Sequence, residues 1–537
     1  MLDIQNQTID NVFQAAATQW PDADFLCAPA TDGVPVRNLT FAETAKAVNE
    51  LADSLINAGY GPGHRAAVLL GTRPEHYIVK LALNRIGMSC VPVNPDYHAA
   101  ELAYLLEDSG AILAIADTPR MALMAAGIEA SNVSPTLSAY ETLTTAPPPA
   151  QTAPPQTEIT PDTEASLLYT SGTTGRPKGC ILSHEYELMC GAVYRDVGKP
   201  VALRVGGDRI LNPLPAFHIN AGIVTFFAAL LTGNCLIQPE RFSASTWWDD
   251  VKDTGATVFH YLGVVIAVLL ADRDAGPEKL SNIRVGFGAG VEPALHVEFE
   301  RRFGIPLIEC WGMTEMCRVL TVDQEPRMID TRAMGRARDD LEIKVVDADD
   351  AEVPPGTAGE MVLRHSASTP RKGAFSGYLN KPEATEEAWR GGWFHTGDTV
   401  TMGGDGMLFF VDRAKNIIRR AGENIAAAEV ENRLFADPRV INIACVAAPD
   451  DMREEEVMAC IVLASDCARD EATARSLFEH AAAGMAYFKP PGWILFVDEL
   501  PVTGTQKVVK HKIFAADEDP RERPGIFDFR HLKKRPS

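Results

Sequence analysis

Positive charge is scarce in this chain. Its 537 residues hold 50 lysines and arginines against 72 aspartates and glutamates, a formal net charge of −22. Such a surface repels phosphate backbones and anionic lipid, which argues against nucleic acid and membrane surfaces as general partners. Long apolar runs are missing as well. The most apolar stretches, Ile219–Leu231 and Tyr261–Ala271, fall short of the roughly 18 apolar residues that a spanning helix needs, and they read as buried core elements. The first ten residues, MLDIQNQTID, carry acids but no basic segment followed by an apolar one, so no signal peptide is expected. Ten cysteines occur without a C-x-x-C pair and without zinc-ligand spacing. Free thiols and a soluble enzyme of the reducing cytoplasm are the expectation.

What is present is a globular composition, 46% hydrophobic and 23% charged, in a chain too long for one ordinary core. Helix and strand patterns alternate: FAETAKAVNELADSLINAG reads as a helix with Gly59 and Gly61 near its stop, RAAVLL as a buried strand, EHYIVKLALNRIG as a helix, and SCVPVNP follows it. That alternation predicts α/β layers with largely parallel strands. The proline-rich Thr144–Glu158 is expected to be an exposed connector between two subdomains. A second boundary falls near Asp412, between the turn and strand of GGDGMLFFV and the basic DRAKNIIRR. After it come a helix, AAAEVENRLFAD, and two strands, VINIACVAAPD and VMACIVLA, which divides the chain into residues 1–412 and 413–537. The last residues, FRHLKKRPS, form a basic tail expected to be frayed.

The most informative segment is LLYTSGTTGRPKG, Leu167–Gly179. A β-like run leads into Thr170, Ser171, Gly172, Thr173, Thr174 and Gly175, and the segment ends in Lys178. Small residues let backbone N–H groups approach phosphate oxygens, hydroxyls add donors, and the lysine supplies charge. It is not a G-x-x-x-x-G-K-[ST] loop. This segment resembles the phosphate-binding loop of the adenylate-forming superfamily, which includes acyl-CoA synthetases, peptide-synthetase adenylation domains and luciferases. Further motifs match in the same order, from the first helix to Lys507. The resemblance implies an α/β fold: a large N-terminal domain of layered α/β subdomains that binds ATP and the acyl group, and a small mobile C-terminal α+β domain.

It also implies roles. In ECWGMTEM, Trp311 stands where the family usually has tyrosine, beside the adenine, with Gly312 next to it; Thr314 bonds the α-phosphate and Glu315 holds Mg²⁺. GFGAG resembles the glycine-rich turn flanking adenine and the acyl pocket, which brings in Gly288, Ala289 and Gly290. In WFHTGD, Asp398 takes the ribose hydroxyls, with Arg413 as its partner, and Lys415 sits at the hinge between the domains. In PVTGTQKVVK, Lys507 takes the place of the adenylation lysine, although Gln506 replaces the usual glycine before it. His218, in NPLPAFHINAG, either gates the thiol tunnel or orients the carboxylate. Phe259, Tyr261 and Gly263 line the acyl pocket, and Gly422 follows the pantetheine arm.

The implied reaction is ATP-dependent ligation of a carboxylic acid to coenzyme A, through an acyl-adenylate, with ATP, Mg²⁺ and coenzyme A as cofactors. Similarity to crotonobetaine/carnitine-type ligases points to a short acid as substrate, and the oligomeric state stays open. The alternatives are a carrier-protein thiol in place of coenzyme A, a luciferase-like oxygenation, and a non-catalytic nucleotide-binding relative. No carrier domain is evident after Lys507, which favours the free thiol.

Overall fold

The computed structural model describes residues 2–31, 33–155, 158–170, 176–280, 282–291, 293–413, 417–501, 508, 510, 513–515 and 518–534. They divide into two units, a large one of Met1–Pro95, Ala103–Tyr169 and Gly179–Asp412, and a small one of Asp96–Leu102, Thr170–Lys178 and Arg413–Ser537. Mixed α/β structure forms both.

Three sheets build the large unit. In the seven-stranded sheet, Arg65–Leu69 lies parallel to both Ser89–Pro92 and Leu113–Ala116. These strands are buried almost throughout, as expected when helices cover both faces. The helix Phe41–Asn57 starts at a capping box in which the Thr40 hydroxyl accepts from Glu43 N–H and the Glu43 carboxylate accepts from Thr40 N–H. The helix Pro74–Arg85 opens on proline, whose missing N–H costs nothing there.

The proline-rich segment 144–158 corrects the sequence expectation. It follows the strand Thr136–Ala139 and precedes the strand Glu164–Thr170, and both belong to the same seven-stranded sheet. Its described residues therefore form a strap within one subdomain: Pro154 packs over Gly61, and Ala150 N–H donates to the Ala58 carbonyl at 2.8 Å. Strands that are not neighbours in a sheet need a long crossing over its surface.

An eight-stranded sheet runs Val258–Leu262, Val285–Ala289 and Leu307–Met313 side by side and parallel, then turns back antiparallel into Met316–Thr321. A five-stranded sheet, with antiparallel pairs, contains Phe394–Met402 beside Gly359–Arg364. No helix among the described residues is long and apolar enough to cross a membrane.

The small unit packs the helices Ala427–Phe435 and Glu471–Ala482 with a six-stranded sheet around Ile418, Val430, Leu434, Val457, Ile461, Leu477 and Phe478. The described part of its basic tail, residues 529–534, is docked rather than frayed. Phe529 is 1% exposed and its ring lies 5.4 Å from that of Phe478, while Arg530 lies over Trp493 at 4.4 Å.

Candidate active site

Met313 pairs with Met316, so Thr314 and Glu315 are the two residues of a tight hairpin turn between strands Leu307–Met313 and Met316–Thr321. The Tyr186 hydroxyl donates to the Thr314 carbonyl at 2.8 Å, and the Tyr378 hydroxyl donates to Glu315 Oε1 at 2.9 Å. Burial pushes both phenols well above their ordinary range, and Glu315 pushes Tyr378 further, so both stay protonated donors. Phe375 N–H ties the Glu315 carbonyl at 3.0 Å. Glu315 is itself 8% exposed. The turn is thus fixed in three places from outside its own hairpin.

Three residues before the turn, Trp311 Nε1–H donates to Asp398 Oδ2 at 2.8 Å, and both side chains are buried. Asp398 lies on the strand Phe394–Met402. Its approach is set by Glu360 on the neighbouring strand, which accepts from Gly397 N–H at 2.9 Å and meets His395 Nδ1 at 2.9 Å. Gly312 is exposed, on the opposite face of its strand from buried Trp311.

Gly288 pairs with Tyr261 across parallel strands, and a Cβ there would sit 2.1 Å from the Tyr261 carbonyl oxygen, so no side chain fits. Ala289 ends that strand, and Gly290 N–H donates to Glu309 Oε2 at 2.8 Å with Val291 N–H at 3.4 Å. The other oxygen of Glu309 accepts from the Tyr261 hydroxyl at 2.6 Å. Glu309 therefore joins the glycine turn to the floor strand, a role the sequence reading missed. Its only signal was a carboxylate opening the ECWGMTEM segment. Tyr261 is fully buried with its hydroxyl committed to Glu309. Phe259 is fully buried as well, 5.7 Å from the Trp247 ring and 6.1 Å from Phe299, which is a core position. Gly263 opens the helix Gly263–Ala271.

His218 sits half-buried just ahead of a six-residue π-helix, Asn220–Thr225, with its ring 4.6 Å from Phe217. Beneath that helix, Asn212 Nδ2 donates to Asn220 Oδ1 at 2.8 Å and to Thr225 Oγ1 at 2.9 Å. Such wide turns recur at functional sites.

Thr170 closes the strand Glu164–Thr170 and Lys178 opens its sheet neighbour, Lys178–Ser183. Ser171, Gly172, Thr173, Thr174 and Gly175 lie outside the described residues, as do Lys415 and Lys507. Arg413 ends the strand Leu408–Arg413. In the small unit, Ala421 and Gly422 turn the strand Ile417–Arg420 into Glu423–Ala426, with φ of +50° and +86°. Two left-handed residues in a two-residue hairpin turn match the right-handed twist of its strands.

Comparison with known proteins gives a consistent picture. The profile of AMP-binding enzymes matches residues 13–379, and that of the AMP-binding enzyme C-terminal domain matches residues 429–507. The chain is 31% identical to a sulfoacetate–CoA ligase of Cupriavidus necator over 513 residues, 94% of this chain and 97% of that one. It is 29% identical to a crotonobetaine/carnitine–CoA ligase of Salmonella arizonae over 494 residues, 89% of this chain and 93% of that one. Among solved structures, o-succinylbenzoate CoA synthetase from Bacillus subtilis, bound to a product analogue, matches with a TM-score of 0.81 at 25% identity, covering 95% of this chain and 98% of that one. An amide bond synthetase from Marinactinospora thermotolerans matches with a TM-score of 0.78 at 25% identity, covering 94% and 99%.

Proposed function

The chain belongs to the AMP-binding enzyme family, among its acyl-CoA ligases, and from that premise we propose how its residues divide the work. It is an ATP-dependent, AMP-forming acid–CoA ligase. In the first half-reaction a carboxylate oxygen bonds to the α-phosphorus of ATP while the bond to pyrophosphate breaks. In the second, the thiol sulfur of coenzyme A bonds to the acyl carbon and AMP leaves.

We assign the phosphates to the loop from Thr170 to Lys178, the α-phosphate to Thr314, and the ribose hydroxyls to Asp398 with Arg413. A carboxylate accepts from both hydroxyls of a ribose, and Trp311 holds this one in place. Trp311 and the Gly288–Gly290 turn flank the adenine and the acyl pocket, which Gly263, Tyr261 and His218 border. Lys507 brings an ammonium to the carboxylate and α-phosphate as negative charge gathers between them. We take residues 1–412 as the ATP- and acyl-binding domain and 413–537 as a lid turning near Lys415. The turn withdraws Lys507 and presents Gly422 to the pantetheine arm, which also shields a hydrolysable mixed anhydride from water.

Glu315 suits Mg²⁺: it is a buried carboxylate, a hard oxygen donor of the kind that ion takes. Among the described residues no group of three or more acidic, His or Cys side chains could hold a metal, so the remaining ligands would be nucleotide phosphates and water. Bound there, the ion would neutralise charge on the phosphates.

For the substrate we propose a short acid carrying a second polar or charged group. Sulfoacetate, crotonobetaine and carnitine, named for the two similar ligases, are all short acids of that kind. Ten free cysteines support a reducing, cytoplasmic setting.

The observation that carries this reading is the buried Trp311–Asp398 hydrogen bond, by which an indole on the strand that leads into the Thr314–Glu315 turn holds a carboxylate carried on Phe394–Met402. A panel of short carboxylic acids, scored for pyrophosphate, AMP and acyl-CoA with magnesium and ATP, tests it. We expect acyl-CoA and AMP in equal amounts with at least one polar acid. If every acid failed to release pyrophosphate, the reading would fall.

A further inference from the structure

Three charges are buried together in the small unit, far in sequence from one another. Arg420 Nε–H donates to Glu456 Oε2 at 2.6 Å, and Lys533 Nζ donates to Glu456 Oε1. Arg420 is 3% exposed, and the side chains of Glu456 and Lys533 are fully buried. The adjoining Val457 N–H also donates to Glu456 Oε1 at 2.8 Å. Gly492 leaves the room the carboxylate occupies: a Cβ at that position would stand 2.3 Å from Glu456 Cγ. Burial pulls the Lys533 ammonium down to about 7, against the opposing pull of Glu456.

Buried ions are poor sources of stability, because desolvation costs several kcal/mol per ion and their attraction offsets it only when the geometry is good. What such a cluster does well is fix one arrangement. Here it fixes the end of the strand Ile417–Arg420, since Arg420 is the residue on which the Ala421–Gly422 turn begins. Ala421 has a side chain in a left-handed conformation, which is unfavourable unless its surroundings impose it. Its N–H donates to the Arg453 carbonyl at 3.0 Å, and Glu455 accepts from Arg419 N–H at 2.6 Å. The turn is thus gripped on both sides of Arg420, by Glu455 on the strand Glu454–Leu463 that carries Glu456 and by Arg453 just ahead of that strand.

We propose that Arg420, Glu456 and Lys533 are positioning residues for thioester formation, holding the Ala421–Gly422 turn in the shape that receives the pantetheine arm. The proposal rests on the role assigned to Gly422 above. It also gives the basic tail a purpose, since Lys533 reaches Glu456 only because Phe529 and Arg530 dock the chain against Phe478, Trp493 and Asp450.

Arg420→Met and Lys533→Met in the full chain each remove one cation and leave the other paired one-to-one with Glu456, so neither strands a charge. Two steps are measured: pyrophosphate release from acid and magnesium ATP without coenzyme A, and acyl transfer from preformed acyl-adenylate to coenzyme A. Acyl transfer should fall by about tenfold or more, with a raised KM for coenzyme A. Pyrophosphate release should stay within about twofold of wild type. Equal loss in both steps, or no loss of transfer, overturns the proposal. Amide hydrogen exchange gives a second readout: residues 421–423 should exchange faster in both variants while the helix Glu471–Ala482 keeps its protection. Unchanged exchange at the turn, or loss of protection throughout the unit, also overturns it. A wild-type protein that forms acyl-adenylate yet never acylates coenzyme A would instead remove the parent reading of Gly422, and this proposal with it.

Discussion

Two hairpin turns, one in each unit, present the groups assigned to the two half-reactions, and different physics holds each of them. Thr314–Glu315 is braced largely by neutral donors: two tyrosine hydroxyls and a backbone N–H. Ala421–Gly422 is left-handed at both residues and leans on buried ions. Neutral hydrogen bonds contribute about 1 kcal/mol each and can be lost singly, whereas removing the shared partner of buried ions costs about 3–5 kcal/mol. The first turn should therefore degrade in steps, and the second should depend on charge balance.

Separating the half-reactions is the sharpest way to break this comparison. Lys507→Ala should slow acyl-adenylate formation by about 10²–10³-fold, the loss of one charged transition-state contact worth ~3–4 kcal/mol. Transfer from preformed acyl-adenylate should survive, and rapid-quench measurement of both steps checks this; equal damage to the two would contradict the role given to Lys507. Next in size is Asp398→Ala, which leaves the buried Trp311 indole N–H without its acceptor at a cost of about 1–3 kcal/mol. It should raise KM for ATP by roughly 10-fold or more and lower the melting temperature. Asp398→Asn keeps an acceptor for the indole and should lose ATP affinity with less loss of stability; identical melting of the two variants would count against that division.

Acid should distinguish the units themselves. His76, His184 and His260 are buried in the large unit, and burial pushes each imidazole down to about 3, helped by Lys80 for the first two. In the unfolded chain they titrate near 6.5, so between those values the unfolded state binds protons that the folded state refuses. Stability is therefore full above pH 6.5 and falls as the pH drops toward 3, by about 1.4 kcal/mol per pH unit for each histidine. The small unit has no buried histidine among its described residues. Urea midpoints compared at pH 7 and pH 5 should drop for the large unit; a midpoint that ignored pH would sink the argument. The mildest test is Tyr378→Phe, which deletes one donor to the Glu315 carboxylate and should reduce kcat by about 10-fold, near the low end of the ~1.5–3 kcal/mol of a hydrogen bond to a charged group, with a higher magnesium requirement. A loss as large as that of Lys507→Ala would mean the first turn is not held redundantly.

Much of this was legible in the residue order, and what was not has a common cause. Helices such as Phe41–Asn57 announced themselves through their local pattern and a glycine stop, and the buried strand Arg65–Leu69 through an unbroken apolar run. The hydroxyl- and glycine-rich loop stands out in the residue order because its chemistry is contiguous, and its central residues lie outside the described ones. Glu309, Tyr186 and Tyr378 were not, because each acts from one element on a residue of another that sequence spacing does not connect to it. The same applies to the tail. Its positive charges look solvated until Glu456, 77 positions away, is brought beside Lys533. The segment 144–158 was misread for the opposite reason: proline content signals a surface path, but says nothing about which sheet the path returns to.

The π-helix ahead of Phe226–Thr232 is a change of phase. A helical turn with a surplus residue sets everything upstream out of step with everything downstream, by about 100° for each residue. Removing one residue between Asn220 and Thr225 would leave the composition and the polarity of the segment almost untouched. Yet it would swing His218 around the helix axis relative to the buried Phe226–Thr232, so that where this imidazole points is set by a count of residues as much as by their kinds.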